Sequence, residues 1–579
     1  MMSKAKTQLP KKLLEYTSVQ DYSLYTHIDQ AVWRYVMRIS FPYFKKYAHE
    51  SYVKGIEMVG IPMDKIPKID EMDQKLDSFG WGAVSVKGFI PPIIFMEFLA
   101  RKVLPIAVDI RTSKNITYTP APDIIHEAAG HAPIIANKDY ADYLSAYGEI
   151  SQKAIESKYD AEQYEIVREL SVLKDNPNAD PKILNKIENK FKNLSKKKTW
   201  LSEASELSRM NWWTIEYGLV GDLTKPKIYG AGLLSSVSES VTSLTKNVKK
   251  IPLNKNCIKQ PYNITEPQPQ LFVTKDFKKL KTILIEYSKT MAFKTGGGQA
   301  LEKAILSKHI TTTVMDSGLQ ISGVIEKCIL NKRQELAYMT YNGGTQLSFK
   351  DCQLEGHSKE FHSEGYGCAT GKVSAINKPI HNLDNEELIS TGIVKNNYAE
   401  IKFVTGLTVS GLINDILKIN KKPILINFKD ALVKLDNKDL FKPEWGEYDL
   451  ACGEKIISIY GGPADWEEFN KSTTNINNKA YQSSNLTIDN VELNQLYEKV
   501  ETLKIKKASN KDYVQILKTV YASYPNEWLI CMNIYEIIFN DSSLKDEITF
   551  LRSHLRKFKN DLQLSDAIKR GIELIENSN

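Results

Sequence analysis

Apolar residues recur at helical spacing over residues 16–52, as in AVWRYVMRISFPYFKKY, and predict an amphipathic helix laid on a core. Two Ile-Pro pairs in GIPMDKIPKIDEMDQKLDSFGW predict an extended entry into another helix, because the residue before a proline is pushed out of the α region. The apolar run 89–108 fits helix or strand equally by period. Residues 140–206 are strongly helical, broken at 174–182 by KDNPNADPK, which predicts a turn between two helices. The texture changes near Leu306. Over residues 311–460, Gly, Thr and alternating apolar positions predict short antiparallel strands. NKSTTNINNKAYQSSN (470–485) reads as a polar linker. Beyond it VELNQLYEKVETLKI, DYVQILKTVYASY, DEITFLRSHLRKF and AIKRGIELIE predict four amphipathic helices.

A chain of 579 residues exceeds one ordinary domain. The expected architecture is a multidomain α+β protein. Residues 1–306 form a mainly α-helical domain with a helical insertion at about 150–205, 307–470 a strand-rich domain, and 486–579 a small helical C-terminal domain. Hydrophobic content of 42% and charged content of 25% are globular values. The net charge of +7 is spread among 77 basic and 70 acidic residues, with no basic face carrying interleaved aromatics, so nucleic acid is not an expected partner. The basic stretch 189–200 reads as the solvated end of a helix. Six cysteines without a C-x-x-C pair fit reduced thiols. The first residues lack an apolar signal core, and the most apolar run, GFIPPIIFMEFLA, is short and interrupted, so neither secretion nor a membrane span is expected and a cytoplasmic location is.

Candidate chemistry sits in PDIIHEAAGH, residues 122–131. It nearly spells the H-E-x-x-H of a zinc protease helix, but the second histidine arrives one residue late. On an α-helix five residues rotate the side chain by roughly 140°, too far for His126 and His131 to share one ion. Asp123 stands where a cap would start this helix. Gly130 stands where the helix would stop, letting His131 swing back from irregular backbone. Glu127 and His131 then become the pair four apart. A carboxylate is still needed, and Glu216 in WWTIEYGL is an acid in an apolar stretch whose burial a dication would make tolerable. Two histidines and one carboxylate make the facial triad of non-haem Fe(II) oxygenases. By spacing alone, two partnered histidines at a helix end remain an equal reading.

Residues of about 16–306 resemble the catalytic domain of the pterin-dependent aromatic amino acid hydroxylases, the phenylalanine hydroxylase family. The likeness rests on IRTSKNITYTPAPDIIHEAAGHAPI, WWTIEYGL, YGAGLLSSVSE and YNITEPQPQLFV in the family's order, and on VKGFIPPIIFMEFLARKVLPIAVDIRT, which matches the pterin-side segment without a gap. The resemblance implies iron ligands at His126, His131 and Glu216, and a substrate-carboxylate clamp at Arg111, whose planar fork suits a carboxylate. It places Thr119, Trp212 and Ser235 at substrate-pocket or ligand-orienting positions. It lays the pterin along Gly88, Phe89 and Ile90, stacked on Phe95 with Glu127 nearby. The implied cofactors are Fe(II) and a tetrahydrobiopterin-like tetrahydropterin, with dioxygen as co-substrate. The implied reaction is ring hydroxylation of a free aromatic amino acid, phenylalanine foremost, in phenylalanine catabolism.

Departures from the family pattern are local. Eighty-four residues separate His131 from Glu216 where the family has about forty, and the helix-turn-helix around 176–181 accounts for the excess as a surface insertion. Asn211 replaces a common aromatic, and Pro92 stands where a pterin-side hydroxyl is expected. No animal-type regulatory domain is expected before Tyr16, and the family's tetramerisation helix is not recognisable after Leu306. The second half resembles no named family; its C-terminal helices suggest an interaction module or a route to homo-oligomers. GHSKEFH carries another five-apart pair, His357 and His362, read as solvated loop histidines without an acid partner. TGGGQ (295–299) reads as a flexible turn, since it lacks the Lys-Ser/Thr of a phosphate loop. Two other functions compete: a catalytically silent metal-binding or interaction protein on the same fold, and a zinc hydrolase.

Overall fold

The structure is a computed structural model and describes residues 2–88, 90–117, 122–175, 180–196, 200–264, 266–471, 491–561 and 564–577. Helix His27–Tyr47 begins in a capping box: Thr26 Oγ1 accepts the Asp29 amide at 3.1 Å and the Asp29 carboxylate accepts the Thr26 amide at 2.8 Å. It buries Val32, Trp33, Val36, Met37 and Phe44. The ambiguous apolar run 89–108 contains both element types, helix Pro92–Ala100 and then strand Val103–Ala107. That strand pairs in parallel with Gly82–Val86, so the helix is the crossover that parallel pairing demands. Just beyond the strand, the Asp109 carbonyl accepts the Ile124 amide at 2.8 Å and anchors the segment that carries the two histidines.

The extra length between His131 and Glu216 is accommodated at a tied neck. Helices Lys158–Asp175 and Pro181–Lys196 pack on each other as the helical pattern predicted, while the turn residues 176–179 lie outside the described residues. At the base, the Ala204 amide donates to the Ile155 carbonyl and the Ile155 amide to Glu203 Oε2, both at 3.2 Å. Asp160 accepts the hydroxyls of Ser157, Ser202 and Ser205. With its ends bonded together, an insertion adds little closure cost.

Strands from Thr311 to Gly461 build two antiparallel sheets. One runs Cys352–Gln353, Leu336–Phe349, Leu319–Leu330, Thr311–Met315, Ile456–Gly461, with Gly365–Ala369 on the flank of Leu336–Phe349. The other runs Tyr398–Lys402, Leu407–Ile419, Lys422–Leu435, Lys438–Phe441, with Tyr448–Ala451 also on Lys422–Leu435. The two sheets share apolar clusters, and helix Gly297–Ser307 packs on the first. TGGGQ, expected as a flexible turn, instead spans the end of helix Ala292–Thr295 and the first residues of helix Gly297–Ser307, with only Gly296 between them.

The last segment holds five helices among the described residues, one more than the four read from sequence: Val491–Ile505, Asn510–Ser523, Leu529–Ile538, Lys545–Arg556 and Ser565–Asn577. The missed one, LICMNIYEII, is buried nearly all round and so lacks the polar stripe that helical periodicity needs. Most of the polar linker 470–485 lies outside the described residues, which leave out 472–490. These helices merge with the N-terminal half in one apolar cluster. Tyr35 Oη donates to the Ala567 carbonyl at 2.7 Å, the Trp528 ring meets Tyr35 edge-on at 5.0 Å, and Trp528 Nε1 donates to the Ser113 carbonyl at 3.3 Å. All six cysteines are free, and no described helix is long and apolar enough to cross a membrane.

Removing Trp528, which is 1% exposed in this shared core, is expected to cost about 3–5 kcal/mol of stability. Urea unfolding of Trp528→Ala should show a lowered midpoint for the N-terminal half as well as for residues 491–577. Loosening of the C-terminal helices alone would contradict a common core.

Candidate metal centre

His126 and His131 lie on one wide helical segment, Ile125–His131, in which the Ala132 amide donates to the Glu127 carbonyl five residues back at 3.3 Å. The expectation that Gly130 ends the helix is therefore corrected. The helix continues through Gly130 and widens, and i→i+5 winding brings residues five apart nearly into register. The two imidazoles meet edge to face, with their Nε2 atoms 3.1 Å apart. Gly130 is needed for a different reason: a Cβ there would lie 2.9 Å from the Ala231 carbonyl oxygen. This close approach seats helix Ala231–Leu234, and Ser235 after it, against the histidine segment. From another side Tyr52 Oη donates to the Ala129 carbonyl at 2.9 Å.

Glu216 arrives on a second segment of the same kind, Trp212–Glu216, where the Tyr217 amide donates to the Trp212 carbonyl at 2.8 Å. A Cβ on Gly230 would lie 2.4 Å from the Glu216 carbonyl oxygen, so the chain crosses there only as glycine. The carboxylate straddles the histidines: Oε2 is 3.4 Å from His126 Nε2 and Oε1 is 3.4 Å from His131 Nε2. Asn211 Nδ2 donates to Oε1 at 3.5 Å from five residues back, a role the sequence comparison missed when it marked Asn211 only as a departure.

Around these three groups the hydrogen bonds are directional. Ser235 Oγ donates its single proton to the Ala231 carbonyl at 2.8 Å, so it meets His126 Nδ1, 2.9 Å away, as an acceptor. That fixes the proton on Nδ1 and leaves Nε2 bare. Asp123, read as a cap, does accept the His126 amide at 3.0 Å. It also grips Arg111 with both oxygens, from Nε and Nη2 at 2.8 Å each, while Arg111 Nη1 donates to the Ser235 carbonyl at 3.0 Å. Arg111 is thus buried in a two-point ion pair. Burial alone would raise the Asp123 carboxyl, but the Arg111 charge and the hydrogen bonds from Arg111 and His126 hold it below the usual range.

Charge inside the cluster is tightly apportioned. Burial raises Glu216, yet the two facing imidazoles overcome it and bring the acid down to about 2. Burial and the neighbouring His131 push His126 down to about 4. Burial would lower His131 too, but Glu216 and Glu127 outweigh it and raise it. The raised His131 and the lowered Glu216 favour opposite charges at the point where a dication would bind. Beside the cluster, two buried polar atoms make no hydrogen bond among the described residues: Glu127 Oε2, which lies 3.8 Å from His131 Nε2, and Trp212 Nε1. Burial pushes Glu127 up to about 8. Two imidazole nitrogens, one carboxylate and orphaned polar groups beside them fit a site built around a divalent cation and further ligands.

Trp212 stacks between Tyr217, at 4.5 Å, and Tyr262, at 4.4 Å. Tyr262 carried no motif and was not singled out. Gly88 is exposed with φ +66°, and its amide donates to Asp109 Oδ2 at 3.3 Å, one residue link from the Ile124 anchor. Ile90 and Phe95 are half-buried, Phe95 against the main core. Pro92 is the first residue of its helix. Phe89 and Thr119 lie outside the described residues.

The geometry is that of a two-histidine, one-carboxylate cluster on a largely helical domain. The family follows from comparison. The family model for "Biopterin-dependent aromatic amino acid hydroxylase" matches residues 5–176 and 199–295, stepping over helix Pro181–Lys196. The phenylalanine-4-hydroxylase of Pseudomonas aeruginosa is 30% identical over 258 residues, which cover 44% of this chain and 81% of that protein. That of Mesorhizobium japonicum is 27% identical over 271 residues, 46% of this chain and 82% of that protein. The crystal structure of phenylalanine hydroxylase from Chromobacterium violaceum bound to cobalt aligns at 25% identity and a TM-score of 0.37, covering 52% of this chain and 91% of that one. The chain belongs to the biopterin-dependent aromatic amino acid hydroxylase family.

Ser235→Ala removes the acceptor that fixes the His126 tautomer. Affinity for Fe(II), measured by competition with a chelator, is expected to fall about 10- to 100-fold with the fold intact. Unchanged affinity would show that the hydroxyl does not orient the ring.

Proposed function

We propose that this protein is an iron- and tetrahydropterin-dependent monooxygenase that hydroxylates the ring of free phenylalanine. The observation that carries the reading is the meeting of His126, His131 and Glu216 within 3.4 Å of one another, although 84 residues lie between His131 and Glu216. The relatives named phenylalanine-4-hydroxylase support phenylalanine as the substrate. His126, His131 and Glu216 would hold Fe(II), leaving coordination positions for other ligands. Iron and a reduced pterin together supply the activation of dioxygen that ring hydroxylation requires.

The chain's own residues position the partners. Ser235 keeps the His126 proton on Nδ1, and Asn211 steadies the Glu216 carboxylate. Arg111, held in orientation by Asp123, is the group assigned to the amino acid's carboxylate. Trp212, stacked between two tyrosines, offers an apolar wall and an unsatisfied N–H. Glu127, carrying a proton at neutral pH, presents a buried carboxyl beside the cluster on the side assigned to the pterin. Gly88, Ile90 and Phe95 are assigned to the pterin, and Phe89 and Thr119 retain their expected roles from the resemblance. A cytoplasmic location and a role in phenylalanine catabolism complete the reading.

The test is reconstitution of the full chain with Fe(II) and tetrahydropterin, presented with Phe, Tyr and Trp in air. Mass spectrometry should find one added oxygen on phenylalanine. No hydroxylated product with iron demonstrably bound would reject the assignment in favour of a silent binding protein, and activity restored by zinc would favour a hydrolase. Glu216→Ala is expected to lose iron and at least about 1,000-fold in turnover, since a removed ligand leaves two imidazoles that cannot hold the ion. Full activity of that variant would displace Glu216 from the ligand set.

A further inference from the structure

The sequence reading set His357 and His362 aside as solvated histidines without an acid, and the structure corrects this. Their side chains are 16% and 9% exposed, and a third residue joins them, Asp449, at 2%. The loop that carries the histidines follows Cys352–Gln353, and both backbones are pinned to strand Leu336–Phe349: the Leu347 amide donates to the His357 carbonyl at 3.0 Å and the Thr345 amide to the His362 carbonyl at 3.3 Å. Asp449 comes from the other sheet, on strand Tyr448–Ala451.

His357 Nδ1 is 3.2 Å from His362 Nε2, and Asp449 Oδ2 is 3.8 Å from the first and 3.9 Å from the second. The carboxylate oxygen is too far from either nitrogen for a hydrogen bond, yet it faces both almost equally. A point equidistant from three atoms at these separations lies about 2.1 Å from each, the length of a zinc bond to imidazole nitrogen or carboxylate oxygen. The acid is also oriented from behind. Asn427 Nδ2 donates to Asp449 Oδ1 at 2.9 Å, turning Oδ2 toward the imidazoles, and Asn414 Nδ2 donates to Asn427 Oδ1 at 2.9 Å. Aromatic rings flank the cluster: Phe361 lies edge-on to His362 at 4.8 Å, and Tyr366 lies 5.3 Å from His362 while its hydroxyl donates to the Asp449 carbonyl at 2.7 Å. Backed ligands within an aromatic surround are how metal sites are commonly built. A hydrogen-bonded histidine pair alone would account for the 3.2 Å contact but not for a buried carboxylate aimed at both rings beyond bonding range.

We propose that His357, His362 and Asp449 form a second metal site, taking a zinc-class divalent cation through two imidazole nitrogens and one carboxylate oxygen. The ion fastens a loop of one sheet to a strand of the other, so its role is to hold the strand-rich half together. The site is separate from the family's catalytic machinery and stands whether or not the hydroxylase reading does.

The test strips the full chain with chelator, equilibrates it with excess Zn(II), desalts it and counts zinc per chain by mass spectrometry. Asp449→Asn keeps the shape of the side chain, and His357→Ala removes one imidazole. Each is expected to bind one equivalent fewer than the wild type, while iron-dependent hydroxylation stays unchanged because neither residue belongs to the catalytic cluster. Zinc should also raise the unfolding temperature of the strand-rich half in the wild type and not in Asp449→Asn. Asn427→Ala, which only releases the acid's orientation, should weaken zinc binding about 10- to 100-fold. Equal zinc content in wild type and Asp449→Asn, with the variant folded by circular dichroism, would overturn the proposal. An unfolded His357→Ala does not rescue it, since Asp449→Asn decides.

Discussion

Two stretches of backbone wound one residue wider than an α-helix make the catalytic half what it is. On an α-helix His126 and His131 would point in different directions, and Asn211 would not stand behind Glu216. Wider winding aligns residues five apart, and it does so twice, at Ile125–His131 and at Trp212–Glu216. Such winding is intrinsically unfavourable and persists only when its surroundings hold it. Here they do: Tyr52 bonds the first segment, Gly130 admits Ala231 against it, and Gly230 lets the chain cross the second. The core packed around these contacts is what keeps three ionisable groups at ligand spacing.

Much of this was legible in the chain. The three side chains that meet follow from type and context: a late histidine, an acid in an aromatic stretch, and neighbouring motifs in a familiar order. The geometry that joins them did not follow. Gly130 looks like a helix stop because glycine often is one, and nothing in local sequence distinguishes a stop from a glycine that clears a neighbouring carbonyl. Asn211 and Tyr262 act through contacts across several turns or distant segments, which no motif records. Leu529–Ile538 escaped notice because burial on every side removes the alternation by which helices are read. Asp449 was missed for a related reason: as one acid in a strand, it becomes a partner for His357 and His362 only once two sheets are assembled.

The three regions are less separate than composition suggests. Helices beyond Val491 share apolar residues with helix His27–Tyr47, and Trp528 reaches the Ser113 carbonyl two residues from Arg111. Helix Gly297–Ser307, which packs on the first sheet, is tied back at Glu203, whose Oε1 accepts both the Ala292 amide and Lys303 Nζ. Interactions this buried are costly to break on one side only, so the added regions and the family domain are coupled in stability. The expected insertion at about 150–205 is wider than the family match allows: the match runs through helix Lys158–Asp175 and resumes at residue 199, so only residues 177–198, mainly helix Pro181–Lys196, stand outside it.

His126, His131 and Glu216 are the three side chains proposed to hold one iron ion. Crystals of the iron-loaded protein, measured at the iron absorption edge, would locate the metal directly by anomalous scattering. The expected result is a single strong peak in the N-terminal half within bonding distance of His126 Nε2, His131 Nε2 and a Glu216 oxygen. A peak that leaves Glu216 out of reach, or that lies away from both imidazoles, would contradict it.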